Sequence, residues 1–330
     1  MKTIKWGILG CGDVCEVKSG PAFYKCENSA LLAVMRRDAR KAADFALRHN
    51  VPRFYANADD LINDPEVDVV YVATPPGSHA ELTIKALQAG KPVYVEKPMG
   101  CNYAECLRMV EAAKTSGQQL WVAYYRRSLP YFLKVKELLE QQAIGKVQTV
   151  KVEFFRPPLL SDIEKAAHTW RVDKKIAGGG YFYDMASHTI DMLLFLLGQI
   201  KTASGIVGHV GGLYAAEDTV SASLLFESGV VGSGLWCYVS SDVQTKDLIE
   251  ITGDKGIIRF STFDFSDIEY ITHAGTEKFG FPKPEHIQQF MIQSIVDELS
   301  GKGKCPSSGE SGALTNRVID LIFSGNAGSI

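Results

Sequence analysis

The sequence predicts an α/β protein: a doubly wound parallel sheet over residues 1–123, then an α+β domain over 124–330 built on a large, mostly antiparallel open sheet. Three observations predict it. Short β-branched runs alternate with longer helical patterns up to about Tyr124, as βαβ units require. A glycine-rich turn follows the first run directly. After Arg126 the texture changes to closely spaced alternating runs separated by turn residues.

Taken in order, Ile4–Leu9, Ala30–Met35, Val67–Ala73, Pro92–Val95 and Gln119–Ala123 read as strands, too apolar to leave a face exposed. Between them Ala39–His49, His79–Ala89 and Tyr103–Thr115 carry apolar residues at spacings of three and four, which turns one stripe of each helix toward the sheet. In the second domain, helices are predicted at Tyr131–Gln141 and Phe182–Leu197. Antiparallel strands are predicted at Val147–Phe155, Ser204–His209, Thr219–Phe226, Val230–Val239, Asp247–Thr252 and Gly256–Phe260. Glu227-Ser228-Gly229 and Asp254-Lys255-Gly256 have the composition of hairpin turns. Helical patterns at Glu285–Leu299 and Gly312–Phe323 close the chain, and these helices are candidates to pack back on the first domain.

At 330 residues the chain is long enough for two domains of about 100–200 residues each. A net charge of -3 with no dense Lys/Arg block leaves no cation excess for phosphates, which argues against a nucleic-acid partner. No apolar run reaches the ~18 residues of a membrane span, and the first residues read as a strand, so a cytoplasmic protein is expected. Seven scattered cysteines fit reduced thiols. Cys11 and Cys15 are spaced for a redox or metal role, but no second Cys/His pair completes a site.

The loop Gly10-Cys11-Gly12-Asp13-Val14 turns sharply out of the first strand into a helix start, a geometry that offers backbone amides to a pyrophosphate. Cys15 stands where a third glycine is usual, and there only small size is required. These features make the first domain a candidate Rossmann dinucleotide-binding fold. NAD-binding loops carry an acid about 20 residues on, for the ribose 2′-hydroxyl. Here Arg36 and Arg37 occupy the end of the second strand with Lys41 one turn onward, a set that suits a 2′-phosphate. Cations at a helix start oppose its dipole, so mere solvation explains them poorly. NADP(H) is therefore the expected cofactor, and Asp38 keeps NAD(H) open.

Ala73-Thr74-Pro75-Pro76, leading to His79, and Glu96-Lys97-Pro98 each end a buried strand, where ligands of such sheets bind. Lys97 there can hydrogen-bond a reacting oxygen and stabilise its developing charge; a surface ion pair with Glu96 is the plainer alternative. Gly178-Gly179-Gly180 leads into an apolar helix carrying Asp184, His188 and Asp191, whose spacings of four and three place them on one face. His188 can exchange a proton near neutral pH, and Asp184 can fix a substrate hydroxyl or the imidazole. A satisfied core histidine with capping acids is the alternative. For a metal, neither an H-E-x-x-H pattern nor a Cys partner is present, and none is expected.

Together the glycine loop, A-T-P-P-x-x-H at Ala73–His79, E-K-P at Glu96–Pro98 and G-G-G-x-x-x-D-x-x-x-H-x-x-D at Gly178–Asp191 resemble the glucose-fructose oxidoreductase / inositol dehydrogenase / rhizopine-catabolism (Gfo/Idh/MocA) family, over essentially the whole chain. The resemblance implies hydride transfer between a nicotinamide and a hydroxyl or carbonyl carbon of a sugar, polyol or keto-sugar. By it Lys97, Asp184 and His188 match the catalytic trio. Trp170-Arg171 is similar to a segment that closes over nicotinamide and substrate in 1,5-anhydrofructose reductase-like members, which are NADP-linked. Tyr124, with Tyr125-Arg126-Arg127, lies where members vary and substrate is chosen. The resemblance also implies a homodimer or homotetramer through the C-terminal sheet. Readings from other directions are a catalytically silent NADP(H)-binding sensor and a diol or aldose dehydrogenase working oxidatively.

Overall fold

The computed structural model describes residues 2–164 and 170–325. The chain forms two compact units. The first takes residues up to Leu129 together with Pro284–Ala313, and the second takes Pro130–Lys283 with the chain from Leu314 onward.

In the first unit six strands, β1 (Ile4–Leu9), β2 (Ser29–Met35), β3 (Arg53–Tyr55), β4 (Val69–Val72), β5 (Val93–Val95) and β6 (Leu120–Val122), pair in the order β3-β2-β1-β4-β5-β6. All five pairings are parallel, the Rossmann order that reverses beside β1. Strand alternation sorts the side chains. Leu9, Val70, Val72, Val93, Val95 and Val122 meet Leu87, Cys106 and Met109 of the His79–Gln88 and Tyr103–Ser116 helices. On the other face Trp6 packs on Phe23 at 4.8 Å and Tyr71 stacks on Tyr94 at 5.1 Å. The Tyr94 hydroxyl donates to Gln288 and the Trp121 indole to Glu298, so the returning segment covers this face. Burying each such ring is worth about 2–3 kcal/mol, which holds both layers to the sheet.

Several short elements go beyond the sequence reading here, among them the Ala58–Ile62 helix. Strand β3 is three residues long at a sheet edge, with Phe54 half exposed, too short to show a period. The glycine loop opens only a five-residue helix, Asp13–Val17, followed by Gly20–Lys25 with Pro21 in its first turn. The unit also continues past 123 into the Tyr125–Ser128 turn, because Arg127 donates to the Pro306 carbonyl at 2.8 Å and to Ser311 at 2.9 Å.

The second unit holds β7 (Val147–Phe155), β8 (Ile200–Gly208), β9 (Thr219–Phe226), β10 (Val231–Cys237), β11 (Lys246–Gly253), β12 (Ile257–Phe260), β13 (Ile268–Thr272) and β14 (Gly275–Phe279), in the order β14-β13-β12-β11-β7-β10-β9-β8. β7 and β10 pair in parallel and the other pairings are antiparallel, which makes the mostly antiparallel sheet expected from the sequence. β13 and β14 were not expected, because β14 is exposed on both faces and has no apolar alternation. One face is buried: Phe182 meets Trp236 at 5.1 Å and Phe323 at 5.8 Å, while Val150, Val220 and Leu224 fill the layer. Among the described residues no helix is long and apolar enough to cross a membrane.

Candidate active site

In the first unit the β1 turn is fixed by backbone. Gly10 has φ +88°, and a Cβ there would lie 2.7 Å from Thr74 Cγ2, so glycine lets the β1 turn touch the loop after β4. The amides of Gly10 and Cys11 donate to the Met35 carbonyl, at 2.9 and 3.2 Å. Those of Asp13 and Val14, at the start of a helix, have no acceptor within it and are the ones a phosphate can use. Cys15 is fully buried, as its role as the small residue requires, and burial keeps both loop thiols protonated, Cys11 pushed up to about 11 and Cys15 higher. Arg36 reaches the same turn, its Nη1 donating to the Cys11 carbonyl at 3.4 Å, while Arg37 and Lys41 are exposed. These residues fit a dinucleotide.

Beyond β4, Ala73, Thr74 and Pro75 are half-buried and Pro76 is buried. His79 is fully buried, with Nε2 2.6 Å from the Thr74 carbonyl and Nδ1 3.0 Å from that of Pro98. Burial lowers its pKa against the pull of these two carbonyls. The ring thus ties the loop after β4 to the one after β5. Glu96 is buried and accepts from Tyr71 Oη at 2.5 Å, Gln288 Nε2 at 2.6 Å and the Lys97 amide at 3.1 Å. Its carboxylate therefore fixes the backbone of Lys97, whose side chain is half-buried before a cis Lys97–Pro98 peptide. Tyr124 is fully buried among the apolar residues of this unit.

In the second unit the helix read as continuous begins with a π turn, Phe182–Ala186, before regular α structure over Ser187–Leu197. Asp184 sits within the wider turn, so the regular α spacing assumed for it and His188 is replaced by a local irregularity of the kind frequent at functional sites. Arg171 Nε donates to Asp184 Oδ2 at 3.2 Å, and its guanidinium lies 4.6 Å from the Trp170 ring centre. The structure thus brings Trp170, Arg171 and Asp184 together. His188 is buried, 5.9 Å edge-on from Phe263, and Asp191 is buried and accepts from Thr315 at 3.3 Å, a structural tie.

Two residues here carry no sequence motif. Glu217 is buried and accepts from the Gly180 amide at 2.5 Å, and burial raises its pKa. A Cβ on Gly180 would lie 2.7 Å from the Glu217 carbonyl oxygen, which explains a glycine at that point of the triplet. Arg156, directly after β7, shares with Arg171, Asp184, Leu159, Tyr181 and Met185 a cavity of about 300 Å³.

Residues 4–124 match a family described as "Oxidoreductase family, NAD-binding Rossmann fold", and 132–259 match the "GFO/IDH/MocA C-terminal domain". An oxidoreductase of Formosa agariphila is 41% identical over 97% of this chain and 98% of its own. The trans-1,2-dihydrobenzene-1,2-diol dehydrogenase of Mus musculus is 30% identical over 85% of this chain and 80% of its own. The crystal structure of an aldose-aldose oxidoreductase from Caulobacter crescentus, complexed with glycerol, is similar in fold at a TM-score of 0.88 and 24% identity, covering 99% of this chain and 98% of that one. With both halves matched and a near full-length relative above 40% identity, the chain belongs to the Gfo/Idh/MocA family of oxidoreductases.

Proposed function

We propose that this chain is an NADP(H)-dependent oxidoreductase acting on the hydroxyl or carbonyl carbon of a sugar, polyol or keto-sugar. The observation that carries the reading is the pair Arg171 and Asp184 on a cavity of sugar size, with His188 buried farther along the otherwise apolar helix that carries Asp184. A bound nicotinamide supplies the hydride chemistry. The chain's own residues supply the rest. Lys97 hydrogen-bonds the oxygen that gains negative charge as the carbonyl is reduced. His188 gives that oxygen its proton, and takes it back in the oxidative direction. Asp184, steadied by Arg171, fixes a neighbouring hydroxyl. Arg36, Arg37 and Lys41 select the phosphorylated coenzyme. The dihydrodiol dehydrogenase relative supports a second reading of the same residues, oxidation of a vicinal ring diol.

Replacement separates catalysis from binding. Lys97→Ala and His188→Ala are expected to lower kcat by roughly 10²–10⁴-fold, with NADPH affinity within about threefold of wild type by fluorescence titration. Wild-type turnover in either variant removes the role assigned to that residue. Tight NADPH binding with no turnover of any keto-sugar, polyol or diol tried favours the silent sensor instead.

A further inference from the structure

Glu217 lies just ahead of β9 and is fully buried. Burying a carboxyl group is costly, so its place in the fold calls for a partner that uses it. That partner is the glycine triplet. Glu217 Oε1 accepts from the Gly180 amide at 2.5 Å, and the Gly180 carbonyl in turn accepts from the Asp184 amide at 3.2 Å. A single residue, through its own donor and its own acceptor, thus joins Glu217 to Asp184. The contact is close on both glycines. A Cβ on Gly179 would lie 2.8 Å from the Tyr183 ring and 3.0 Å from Glu217 Oε1, and one on Gly180 would lie 2.7 Å from the Glu217 carbonyl oxygen.

The far end of this tie is anchored in the sheet. Asp218, the next residue, accepts from the Val210 and Gly211 amides, each at 2.8 Å. Its own amide donates to the Gly208 carbonyl at 3.1 Å, and its carbonyl accepts from the Tyr238 amide at 2.8 Å. Glu217 therefore reaches the triplet from a backbone held to the ends of β8 and β10. The near end is the irregular turn Phe182–Ala186, where Asp184 has its carboxylate met by Arg171 and its carbonyl by Ser187 Oγ at 3.0 Å. An acceptor at the amino end of a helix also answers an amide that the helix itself leaves without one. We propose that Glu217 is a positioning residue for the reaction: it holds the Gly180 amide from the anchored start of β9 and so fixes the turn that carries Asp184 at the cavity. This rests on the role given to Asp184 above. Glu217 touches no substrate and moves no proton, and its acceptor oxygen rather than its charge performs the task.

Two measurements on the NADPH-loaded full chain test it. In hydrogen exchange read by mass spectrometry, Glu217→Ala should speed exchange in peptides covering residues 178–186 roughly tenfold or more, with peptides of the first unit unchanged. Glu217→Gln, which keeps a carbonyl oxygen at the same reach, should exchange as the wild type does. In turnover, Glu217→Ala should lower kcat/KM roughly 10- to 100-fold, the loss of a charged hydrogen bond, and Glu217→Gln should stay within about threefold of wild type. Placed on Asp184→Ala, the same Glu217→Ala change should cost less than about threefold more, because a tie that acts through Asp184 has nothing left to align. Should Glu217→Ala lose the native circular dichroism spectrum, Glu217→Asp, which keeps the charge and shortens the reach by one methylene, takes its place in both measurements. Unchanged exchange over residues 178–186 overturns the tie. Losses that add in the double variant, or a glutamine variant as impaired as the alanine one, overturn the positioning role. Exchange is read without turnover, so failure of the tie stays distinct from failure of the oxidoreductase reading, which is absence of turnover by the wild-type chain.

Discussion

At the end of β2 the side chains divide two tasks. The Asp38 carboxylate caps the Ala39–Arg48 helix, its Oδ1 accepting from the Arg40 amide at 3.0 Å and that of Lys41 at 3.3 Å. Arg36 leans over the glycine turn and Arg37 stands exposed beside it. Replacing both by alanine is therefore expected to weaken NADPH roughly 10- to 100-fold, two charged hydrogen-bonding partners discounted for exposure, and NADH by less than about threefold. Equal losses for the two coenzymes in a fluorescence titration would remove the selectivity argument. These arginines were legible in the sequence because the end of a strand fixes where they stand. Arg156 and Glu217 were not, since their chemistry comes from burial by residues far away in the chain. Glu96 is intermediate: the motif was legible, but its partner Gln288, 192 residues onward, was not.

Among elements, the short Asp13–Val17 helix has little stability of its own and is tied to the end of the Ala39–Arg48 helix. Arg48 donates to both Glu16 oxygens at 2.7 and 2.9 Å, and His49 Nε2 lies 3.0 Å away. The Arg48 guanidinium first, then His49, lowers the Glu16 carboxyl from its ordinary 4.5 to about 2. A depressed carboxyl stabilises the fold above its unfolded value and loses that contribution as pH falls from about 4.5 toward about 2. Glu16→Gln should flatten the stability curve in that window and cost under about 1 kcal/mol at neutral pH, because the pair is partly exposed. Urea midpoints unchanged in shape across that acid range would refute it. The π turn carries the other prediction at this scale. A methyl on Gly180 meets backbone oxygen at 2.7 Å and Ala216 Cβ at 2.9 Å, so Gly180→Ala should destabilise by about 1–3 kcal/mol, and by shifting Asp184 should lower turnover as well. Full stability in chemical denaturation would mean that the triplet is not under this constraint. The glycines were visible in the sequence, while the π turn was not, because a spacing of four fits a regular helix equally well.

For the molecule as a whole, the face of the second sheet turned away from its helices is where a second copy is expected to dock. Along β8, β9 and β10 that face presents Ile206, Ser221 and Leu235 in one cross-strand row, with Ser204, Ser223 and Ser233 in the next and Val231 beyond. Ile206 is 73% exposed, Val231 56% and Leu235 40%. Across β7, β11 and β12 the same face changes character, with Lys151, Glu153, Glu250 and Arg259 in ion pairs. Small serines let a second backbone layer approach closely while the aliphatic side chains supply contact area, a composition suited to pairing with another copy of the sheet. A two-fold arrangement satisfies every copy at once, so a dimer or tetramer is the expected state. Light scattering on the full chain should give twice or four times the monomer mass. Ile206→Lys combined with Leu235→Lys should shift it to the monomer while leaving the circular dichroism spectrum and NADPH affinity in place, since neither side chain supports the buried face. A wild-type chain that runs as a monomer at micromolar concentration, or a double variant that keeps the larger mass, would place the association elsewhere or nowhere.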